Sequence, residues 1–195
     1  MGKRGQYAKG QAKRQEILDA ALDVFSQNGY DRTSVREIAR LVDLSQAGLL
    51  HYFSSKEELF TEVLRRRDAR NEELYDENRG DPVTTDGLVS IVMHNAAEPG
   101  LVRLYVAMSA ESTEVESSAR EFFVDRYRKL RSDLAQDVKQ KQADGELAED
   151  LKPEVLASLM IAAADGLQIQ WLLDPDSTNM GGELEQLWSA FRRVT

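Results

Sequence analysis

The sequence contains no cysteine, only two histidines and only four prolines among its 195 residues. Without cysteine the chain can form no disulfide, no thiolate nucleophile and no cysteine-based metal site. The two histidines, His51 and His94, stand far apart, and neither has the H-E-x-x-H spacing of a zinc site. A phosphate-binding glycine loop is missing as well. We therefore expect no catalytic residue, no cofactor and no bound metal, which argues against an enzyme.

Long apolar runs are also missing, since the sequence has no stretch of about 18 apolar residues. The amino terminus is basic but has neither the apolar core nor the cleavage site of a secretory signal. We expect a cytoplasmic protein without a membrane span. Because prolines are few and long stretches lack turn signals, the sequence favours an all-helical fold.

Charge is distributed unevenly along the chain, whose formal net charge is −9. Residues 1–67 carry 12 Lys or Arg and 9 Asp or Glu, a net of +3, whereas residues 68–195 carry 13 against 25, a net of −12. This asymmetry is typical of a polyanion-binding module joined to an acidic one. Residues 1–14 form a basic arm that either stays a solvated tail or adds contacts to DNA phosphates. Its basic residues are Lys3, Arg4, Lys9, Lys13 and Arg14.

Three helix starts lie close together within residues 33–60. Ser34 and Ser55 are each followed three residues later by glutamate, which is the capping-box pattern of a helix N-terminus. Between them, Ser45 is a third expected cap. Two short helices joined by a tight turn are typical of a helix-turn-helix, whose second helix lies in the DNA major groove. Asp43 stands at the turn, where a positive φ is common and aspartate tolerates it.

The remaining pattern is helical throughout and predicts about nine helices. The first is expected over roughly residues 12–28, ended by Gly29, and the fourth is expected to end at the turn sequence of residues 78–82. We predict an all-α protein with a three-helix helix-turn-helix domain at residues 1–60 and a second helical domain at residues 61–195.

The last two predicted helices are apolar over a wide arc, which indicates either burial within one chain or a face that pairs with a second copy. Pairing is favoured because a helix-turn-helix usually reads a two-fold symmetric DNA site as a dimer. The candidate interface residues are Leu159, Ala163, Leu167, Leu184, Leu187, Trp188 and Phe191.

The segments Ile38-Ala39, Ser45–Phe53 and Lys56–Phe60 resemble the DNA-binding domain of TetR-family (tetracycline-repressor-like) regulators. The match spans residues 17–64 without a gap, and segments of the second half, such as residues 165–175, resemble the family's effector-binding and dimerisation domain. The resemblance implies a transcriptional regulator, expected to be a repressor, that binds a palindromic operator as a homodimer. It also implies release from DNA by a small, largely apolar ligand.

The first residues of the second helix of this motif are expected to enter the major groove. Gln46 can pair with adenine through both atoms of its amide, Ala47 can contact a thymine methyl group, and Gly48 allows a close approach. Arg36, at the start of the preceding helix, can reach a guanine or a phosphate. These four residues are the candidate base-reading set.

Contacts to the DNA backbone are expected from hydroxyl, imidazole and ammonium groups. The resemblance places a phosphate contact at Lys56, at a helix N-terminus. Gly48 and Leu50 stand where many family members have threonine and tyrosine, so more of the contact falls on neighbouring side chains. The alternative for the hydroxyl groups is that they only cap helices, and for Tyr52 that it only packs. The further candidates are Thr33, Ser34, Ser45, His51 and Tyr52.

An effector pocket in the second domain is implied by the resemblance, and its candidate residues are aromatic, sulfur-containing or polar. Asp165 stands among alanine and leucine, and a buried carboxylate there needs a partner. Gln168, an arginine across the dimer or a cationic effector would supply one. At helical spacing most of the other candidates would equally serve as core. The set is Met93, Tyr105, Met108, Phe123, Tyr127, Asp165, Gln168 and Trp171.

Two other functions would leave different signs. A small helical enzyme acting on an apolar substrate would be indicated by turnover that depends on Asp165. An architectural protein that binds DNA without sequence preference is disfavoured by the acidic second half, which would repel phosphates. The expected partners are therefore double-stranded DNA with an inverted repeat, a small-molecule effector and a second copy of the chain, with no membrane.

Overall fold

The computed structural model describes residues 2–28, 33–75 and 82–192 of the chain. Within these ranges it contains nine α-helices and no strand, so the predicted all-α fold is confirmed. The helices are α1 (Gly2–Asn28), α2 (Val35–Leu41), α3 (Gln46–Leu49), α4 (Lys56–Tyr75), α5 (Thr85–Asn95), α6 (Pro99–Glu111), α7 (Arg120–Ala143), α8 (Pro153–Leu173) and α9 (Met180–Ser189).

Contacts divide the chain into two compact units, residues 1–69 with 99–120 and residues 70–98 with 121–195. Helix α6 therefore belongs to the first unit, although it follows α5 of the second along the chain. The functional boundary predicted after residue 60 rested on the end of the DNA-binding motif, and it stays a prediction.

Helix α1 supplies much of the core of the first unit. Ile17, Ala21 and Phe25 recur at helical spacing and are fully buried. The rings of Phe25 and of Phe60 on α4 meet edge to face, with their centroids 4.8 Å apart. Helix α1 also packs along α6. This apolar packing fixes the position of the helix that precedes the two short ones.

Helix α1 is longer than predicted, since it begins at Gly2 rather than near residue 12. The apolar periodicity that supported the prediction starts only at Ile17, but residues 2–11 contain no proline that would end the helix earlier. The end predicted at Gly29 lies outside the described residues, and so do residues 78–81 of the turn predicted after α4.

In the second unit a carboxylate, Asp86 in the first turn of α5, joins three helices. It accepts a hydrogen bond from Nε1 of Trp188 on α9 at 3.0 Å. The Nζ atom of Lys141 on α7 lies 3.1 Å from its other oxygen, and Arg192 pairs with it as well. The first turn of α5 is thus attached to α7 and to the segment around α9 by charged groups.

These neighbouring groups change the pKa of the Asp86 carboxyl. Burial by itself would raise the pKa of Asp86, but the hydrogen bonds from Lys141 and Trp188 and the positive charges of Lys141 and Arg192 outweigh it, and the pKa lies below its usual value. The pKa of Lys141 is raised in turn: its burial, which opposes the charge, is outweighed by the hydrogen bond to Asp86 and by the acidic groups nearby.

Helix α9 approaches α5 closely at Gly181. This glycine is buried, and a Cβ atom built on it would lie 2.9 Å from Cα of Met93. No side chain fits at that distance, so glycine is required for the two helices to pack as they do.

Among the described residues, helix α8 is the one helix long and apolar enough to span a membrane. Its most apolar stretch of 18 residues has a mean hydropathy of 1.4, and 33% of that stretch is buried in the protein. The sequence shows no unbroken run of apolar residues here because Asp165, Gln168 and Gln170 interrupt it, although the average hydropathy of the helix stays high. Its buried residues form one face of the helix, which packs on α9 and α5 of the same unit.

We expect the substitution Asp86→Asn to lower the free energy of unfolding at pH 7 by about 0.5 kcal/mol, the size usual for a half-exposed ion pair screened by solvent. Because the folded-state pKa of Asp86 is depressed, its contribution is present above the unfolded pKa of about 3.9 and is lost as pH falls through the folded pKa. Urea denaturation of both proteins from pH 7 to pH 3 measures this.

The matched control is Asp150→Asn, at an exposed aspartate of the same unit. The difference between the wild type and Asp86→Asn should shrink toward zero at the acidic end. A difference that persists there at full size would mean that Asp86 stabilises the unit by something other than its charge.

Candidate nucleic-acid interface

Each of the three expected helix caps is present. The Oγ atom of Ser34 accepts the backbone N–H of Glu37 at 3.1 Å, and that of Ser45 accepts the N–H of Gly48 at 3.0 Å. Ser55 caps α4 in the same way, through the N–H of Glu58 at 3.0 Å. These bonds satisfy donors that the first turn of a helix leaves without a partner, so the capping predictions are confirmed.

The glutamate of the second capping box, Glu58, bonds to Ser54, one residue before the Ser55 that the pattern predicts. The carboxylate of Glu58 accepts the backbone N–H of Ser54 at 2.6 Å and the hydroxyl of the same residue at 2.5 Å. The pKa of Glu58 is lowered, most of all by the bond from the Ser54 hydroxyl. Burial works in the opposite direction, whereas the backbone bond and the charge of Arg14 lower the pKa further. The segment between α3 and α4 is therefore fixed at its end by a charged acceptor.

The turn between α2 and α3 has the conformation expected of a helix-turn-helix. Val42 is the C-cap of α2, and Asp43 adopts a φ of 54°, the one positive φ of a non-glycine residue among those described. The backbone N–H of Leu44 then bonds back to the carbonyl of Ala39 at 2.8 Å. Aspartate tolerates the left-handed region better than most residues, which explains how it can stand at this turn.

A lysine of α1 holds the same turn from outside. The Nζ atom of Lys13 donates to the backbone carbonyl of Val42 at 2.7 Å and also pairs with Glu16 at 2.8 Å. The carbonyl belongs to the C-cap of α2, immediately before Asp43, so the bond ties the turn of the motif to the longest helix of its unit. Lys13, predicted to belong to the basic arm, thus acts within the protein.

Arg14 is likewise turned inward. Its guanidinium lies 4.8 Å from the ring centroid of Phe53 and pairs with Glu62 of α4 at 2.8 Å. The sequence contained a signal for both residues, because Lys13 and Arg14 precede the buried Ile17 and Leu18 by four positions and so lie on the same side of the helix. Lys9, by contrast, is exposed.

Most of the side chains predicted to contact DNA are exposed, and two are half-buried. Thr33 is the exception, because it is only 4% exposed and lies beneath this surface. The Nζ atom of Lys56 lies 5.0 Å from the ring centroid of Phe60, so this lysine also contacts its own helix. The exposed residues are Ser34, Arg36, Ser45, Gln46, Ala47, His51 and Lys56, and the half-buried ones are Gly48 and Tyr52.

Gly48 has a structural reason as well as the predicted functional one. A Cβ atom at this position would lie 3.2 Å from Oγ of Ser45, the atom that caps α3. A larger side chain at position 48 would press on that cap. Glycine therefore protects the first turn of α3, from which Gln46 and Ala47 project into solvent.

The predicted dimer residues separate into two groups. Leu184 and Trp188 are buried within the protomer, where Trp188 bonds to Asp86, so for these two the alternative of burial within one chain is correct. Leu159 is 54% exposed and Leu187 is 37% exposed, which leaves both available to a partner. The half-buried members are Ala163, Leu167 and Phe191.

The predicted effector residues do not form a single set either. Tyr105 and Met108 are buried in the first unit, on α6, whereas the other candidates belong to the second. In the second unit Met93 and Trp171 line a cavity of about 540 Å³, together with residues of the first turn of α9. Elsewhere in the second unit, outside this cavity, the hydroxyl of Tyr127 donates to Asp165 at 2.7 Å. Phe123 is buried beside Tyr127, and Gln168 is buried on α8.

In the described part of the chain, no three histidine, cysteine, aspartate or glutamate side chains lie close enough together to hold a metal ion.

Comparisons with known proteins match both halves of the chain. Residues 17–63 match the sequence model of bacterial regulatory proteins of the tetR family, and residues 86–191 match that of the C-terminal part of BetI-type transcriptional repressors. The HTH-type transcriptional repressor AcnR of Corynebacterium diphtheriae is 26% identical over 183 residues, which cover 92% of each chain. The HTH-type transcriptional regulator RutR of Escherichia coli K12 is 51% identical over 55 residues, 28% of this chain and 26% of RutR.

Two solved structures share the fold. A putative TetR-family regulator from Rhodococcus sp. has a TM-score of 0.69 at 23% identity, covering 93% of this chain and 98% of that one. A putative transcriptional regulator from Saccharomonospora viridis, solved in complex with choline, has a TM-score of 0.71 at 24% identity, covering 95% of this chain and 100% of that one.

We expect the substitution Lys13→Met to weaken binding to a DNA duplex selected from a random pool by about tenfold, because losing a charge-assisted hydrogen bond costs roughly 1.5 kcal/mol or more. Because Lys13 holds the turn in position and does not itself contact a phosphate, the slope of the binding constant against salt concentration should be the same in the variant as in the wild type. Fluorescence anisotropy at several salt concentrations measures both quantities, and circular dichroism checks the fold.

The contrasting variant is Lys9→Met, at an exposed lysine of the same helix. If Lys9 touches a phosphate, its loss should lower the salt slope by about one charge. A lowered slope for Lys13→Met as well would show that Lys13 leaves Val42 and contacts DNA directly.

Proposed function

The chain belongs to the tetR family of bacterial transcriptional regulators, and from that membership we propose that it is a repressor that binds a palindromic operator as a homodimer and is released by a small, largely apolar ligand. It is a DNA-binding regulator and not an enzyme. The observation that carries the proposal is the exposed first turn of α3, which Ser45 caps. We place the protein in the cytoplasm, where bacterial DNA is found.

Reading of the operator is assigned to the N-terminal residues of α3. Gln46 presents one donor and one acceptor, the pair that adenine offers in reverse in the major groove. Ala47 is exposed beside it and suits a thymine methyl group. Arg36 and Lys56 supply positive charge from the neighbouring helix starts, within residues 1–67, whose net charge is +3. His51, Tyr52 and the two exposed cap serines, Ser34 and Ser45, are proposed as additional backbone contacts.

Dimer formation is assigned to the exposed side of α8. Its outward residues follow alternating steps of four and three, the spacing by which two helices pack along each other. Leu159 is 54% and Leu173 is 81% exposed, whereas Ala162 and Gly166 in the middle are small enough for close approach. The stripe consists of Val155, Leu159, Ala162, Gly166, Ile169 and Leu173.

A second copy is the occupant that best fits this stripe. A helix-turn-helix regulator needs two recognition helices for a symmetric operator, and a stripe on one helix becomes self-complementary about a two-fold axis. The same stripe accounts for the membrane-like hydropathy of α8, because one side of the helix is buried in its own unit and the other meets the partner. Exposed Leu187 of α9 is proposed to extend this interface.

Release by a ligand is assigned to the second unit. The cavity beside Met93 and Trp171 has the size of a small-molecule site, and its walls are mainly apolar. The similar regulator from Saccharomonospora viridis was solved with choline, which supports a small ligand here as well. A ligand that binds the DNA-free conformation more tightly than the DNA-bound one shifts the population and lowers operator affinity.

The DNA-reading role is tested with Gln46→Ala on an operator obtained by selection from random duplexes. We expect the variant to lose about 1–3 kcal/mol of binding free energy and to accept other bases at one position of each half-site. Repeating the selection with the variant reports the second effect. An unchanged consensus at unchanged affinity would remove Gln46 from the base-reading set.

The dimer is tested with Leu159→Glu. We expect the dimer dissociation constant to rise about 100-fold or more, because the two-fold axis brings both new charges into one apolar interface. Sedimentation at micromolar concentrations measures this, with circular dichroism to confirm the helices. The control is Val115→Glu, at an apolar residue 78% exposed in the other unit, which should remain dimeric. A dimeric Leu159→Glu would move the interface elsewhere.

A further inference from the structure

The cavity of about 540 Å³ in the second unit lies where two helices end and a third begins. Met93 and Ala96 line it from the last turn and the C-cap of α5, and Trp171 lines it from the last turn of α8. Met180 lines it from the first turn of α9. The cavity is therefore bordered by two helix C-termini and one helix N-terminus.

These helix ends bring partial charges to the cavity, roughly half an elementary charge at each end, negative at a C-terminus and positive at an N-terminus. The positive end of α9 is offset within its own first turn. There the side chain of Asn179 accepts the N–H of Gly182 at 3.0 Å, and the carboxylate of Glu183 accepts the N–H of Asn179 at 2.9 Å. The last turn of α8 has no basic side chain, and that of α5 has only His94. The helix ends thus leave a net negative partial charge at the cavity.

A full negative charge is added by Glu185 of α9. Among the described residues that line the cavity it is the one with a charged side chain, and Thr178 and Asn179 are the other polar ones. The side chain of Glu185 is exposed, so a ligand can reach it from the cavity mouth. An anion in this cavity would meet charge of its own sign, whereas a cation would meet charge of the opposite sign.

Trp171 contributes a preference of the same sign. The face of an indole ring attracts a cation through its quadrupole, more strongly than the ring of tyrosine or phenylalanine does. Trp171 is half-buried, so part of its surface is withdrawn from water. Met93 and Met180 supply apolar, polarisable surface beside it. The lining therefore combines apolar contact area with two side chains that favour positive charge.

We propose that this cavity selects organic cations, so that the effector carries a positive charge on an apolar body. The inference rests on the proposed function, which supplies the effector. The apolar body packs on Met93 and Met180, and the charge is bound by Trp171 and Glu185. A neutral ligand of the same shape gains the apolar contacts alone, and an anion is in addition repelled by Glu185.

The test is calorimetric titration of the full-length protein with three probes that share one apolar body. The probes are 4-phenylbutylammonium, the neutral 4-phenyl-1-butanol and the anionic 4-phenylbutanoate. We expect the ammonium ion to bind about tenfold more tightly than the alcohol, the sum of one cation–π contact and one solvent-screened ion pair, and the carboxylate to bind more weakly than the alcohol. A preference for ammonium below threefold, or no ammonium binding below about 10 mM, would overturn the proposal.

Two variants remove the contacts separately. Glu185→Gln keeps the size and polarity of the side chain but removes its charge, and Trp171→Leu keeps an apolar side chain but removes the ring. Each should lower the preference for ammonium over alcohol about threefold, and the double variant should have no preference. If Trp171→Leu unfolds at a lower temperature than the wild type, Trp171→Phe replaces it, because phenylalanine binds cations more weakly. Wild-type selectivity in both single variants would overturn the proposal.

The matched control is Asp176→Asn, which removes an exposed acid between α8 and α9 that does not line the cavity. It should keep the wild-type selectivity. A loss as large as that of Glu185→Gln would assign the preference to the overall negative charge of the unit and contradict the site.

Operator binding is measured in parallel with each probe, so that this inference and the proposed function can fail separately. Selective ammonium binding that leaves operator affinity unchanged supports the cation site and contradicts ligand release. Release from the operator by all three probes alike supports the proposed function and contradicts the selection of cations.

Discussion

Helices of seven and four residues, such as α2 and α3, do not persist in water by themselves, because a short helix gains too few hydrogen bonds to offset the ordering of its first turn. The DNA-binding unit therefore depends on the packing and the caps that hold these two helices. Ile38 and Leu49 are fully buried in the unit, and a serine closes the first turn of each helix. The bond from Lys13 then fixes the turn between them to α1.

Features set by neighbours in sequence could be predicted from the sequence. The three capping serines, the left-handed Asp43 and the all-helical fold each follow from a few adjacent residues, and the structure has all of them. The exposure of Gln46 follows from helical periodicity in the same way.

Features that depend on residues far away in the sequence could not be predicted from it. Trp188 was assigned to the dimer face because it is apolar and near the end of the chain, yet its indole donates to Asp86, 102 positions away. Lys13 and Arg14 looked like arm residues because their partners at Val42 and Glu62 come much later. A charge in sequence does not show whether it meets solvent, a carbonyl or a ring, and only the tertiary packing decides this.

The separation between residues that build the first turn of α3 and those that project from it has an evolutionary consequence. Ser45 and Leu49 hold the helix, whereas Gln46 and Ala47 are exposed and contribute nothing to the core. Mutations at the two exposed positions therefore cost little stability, so a descendant can acquire a new operator preference by single steps without first gaining a compensating stabilising change. Duplicated copies of such a gene can diverge in the sites they recognise while the scaffold stays the same.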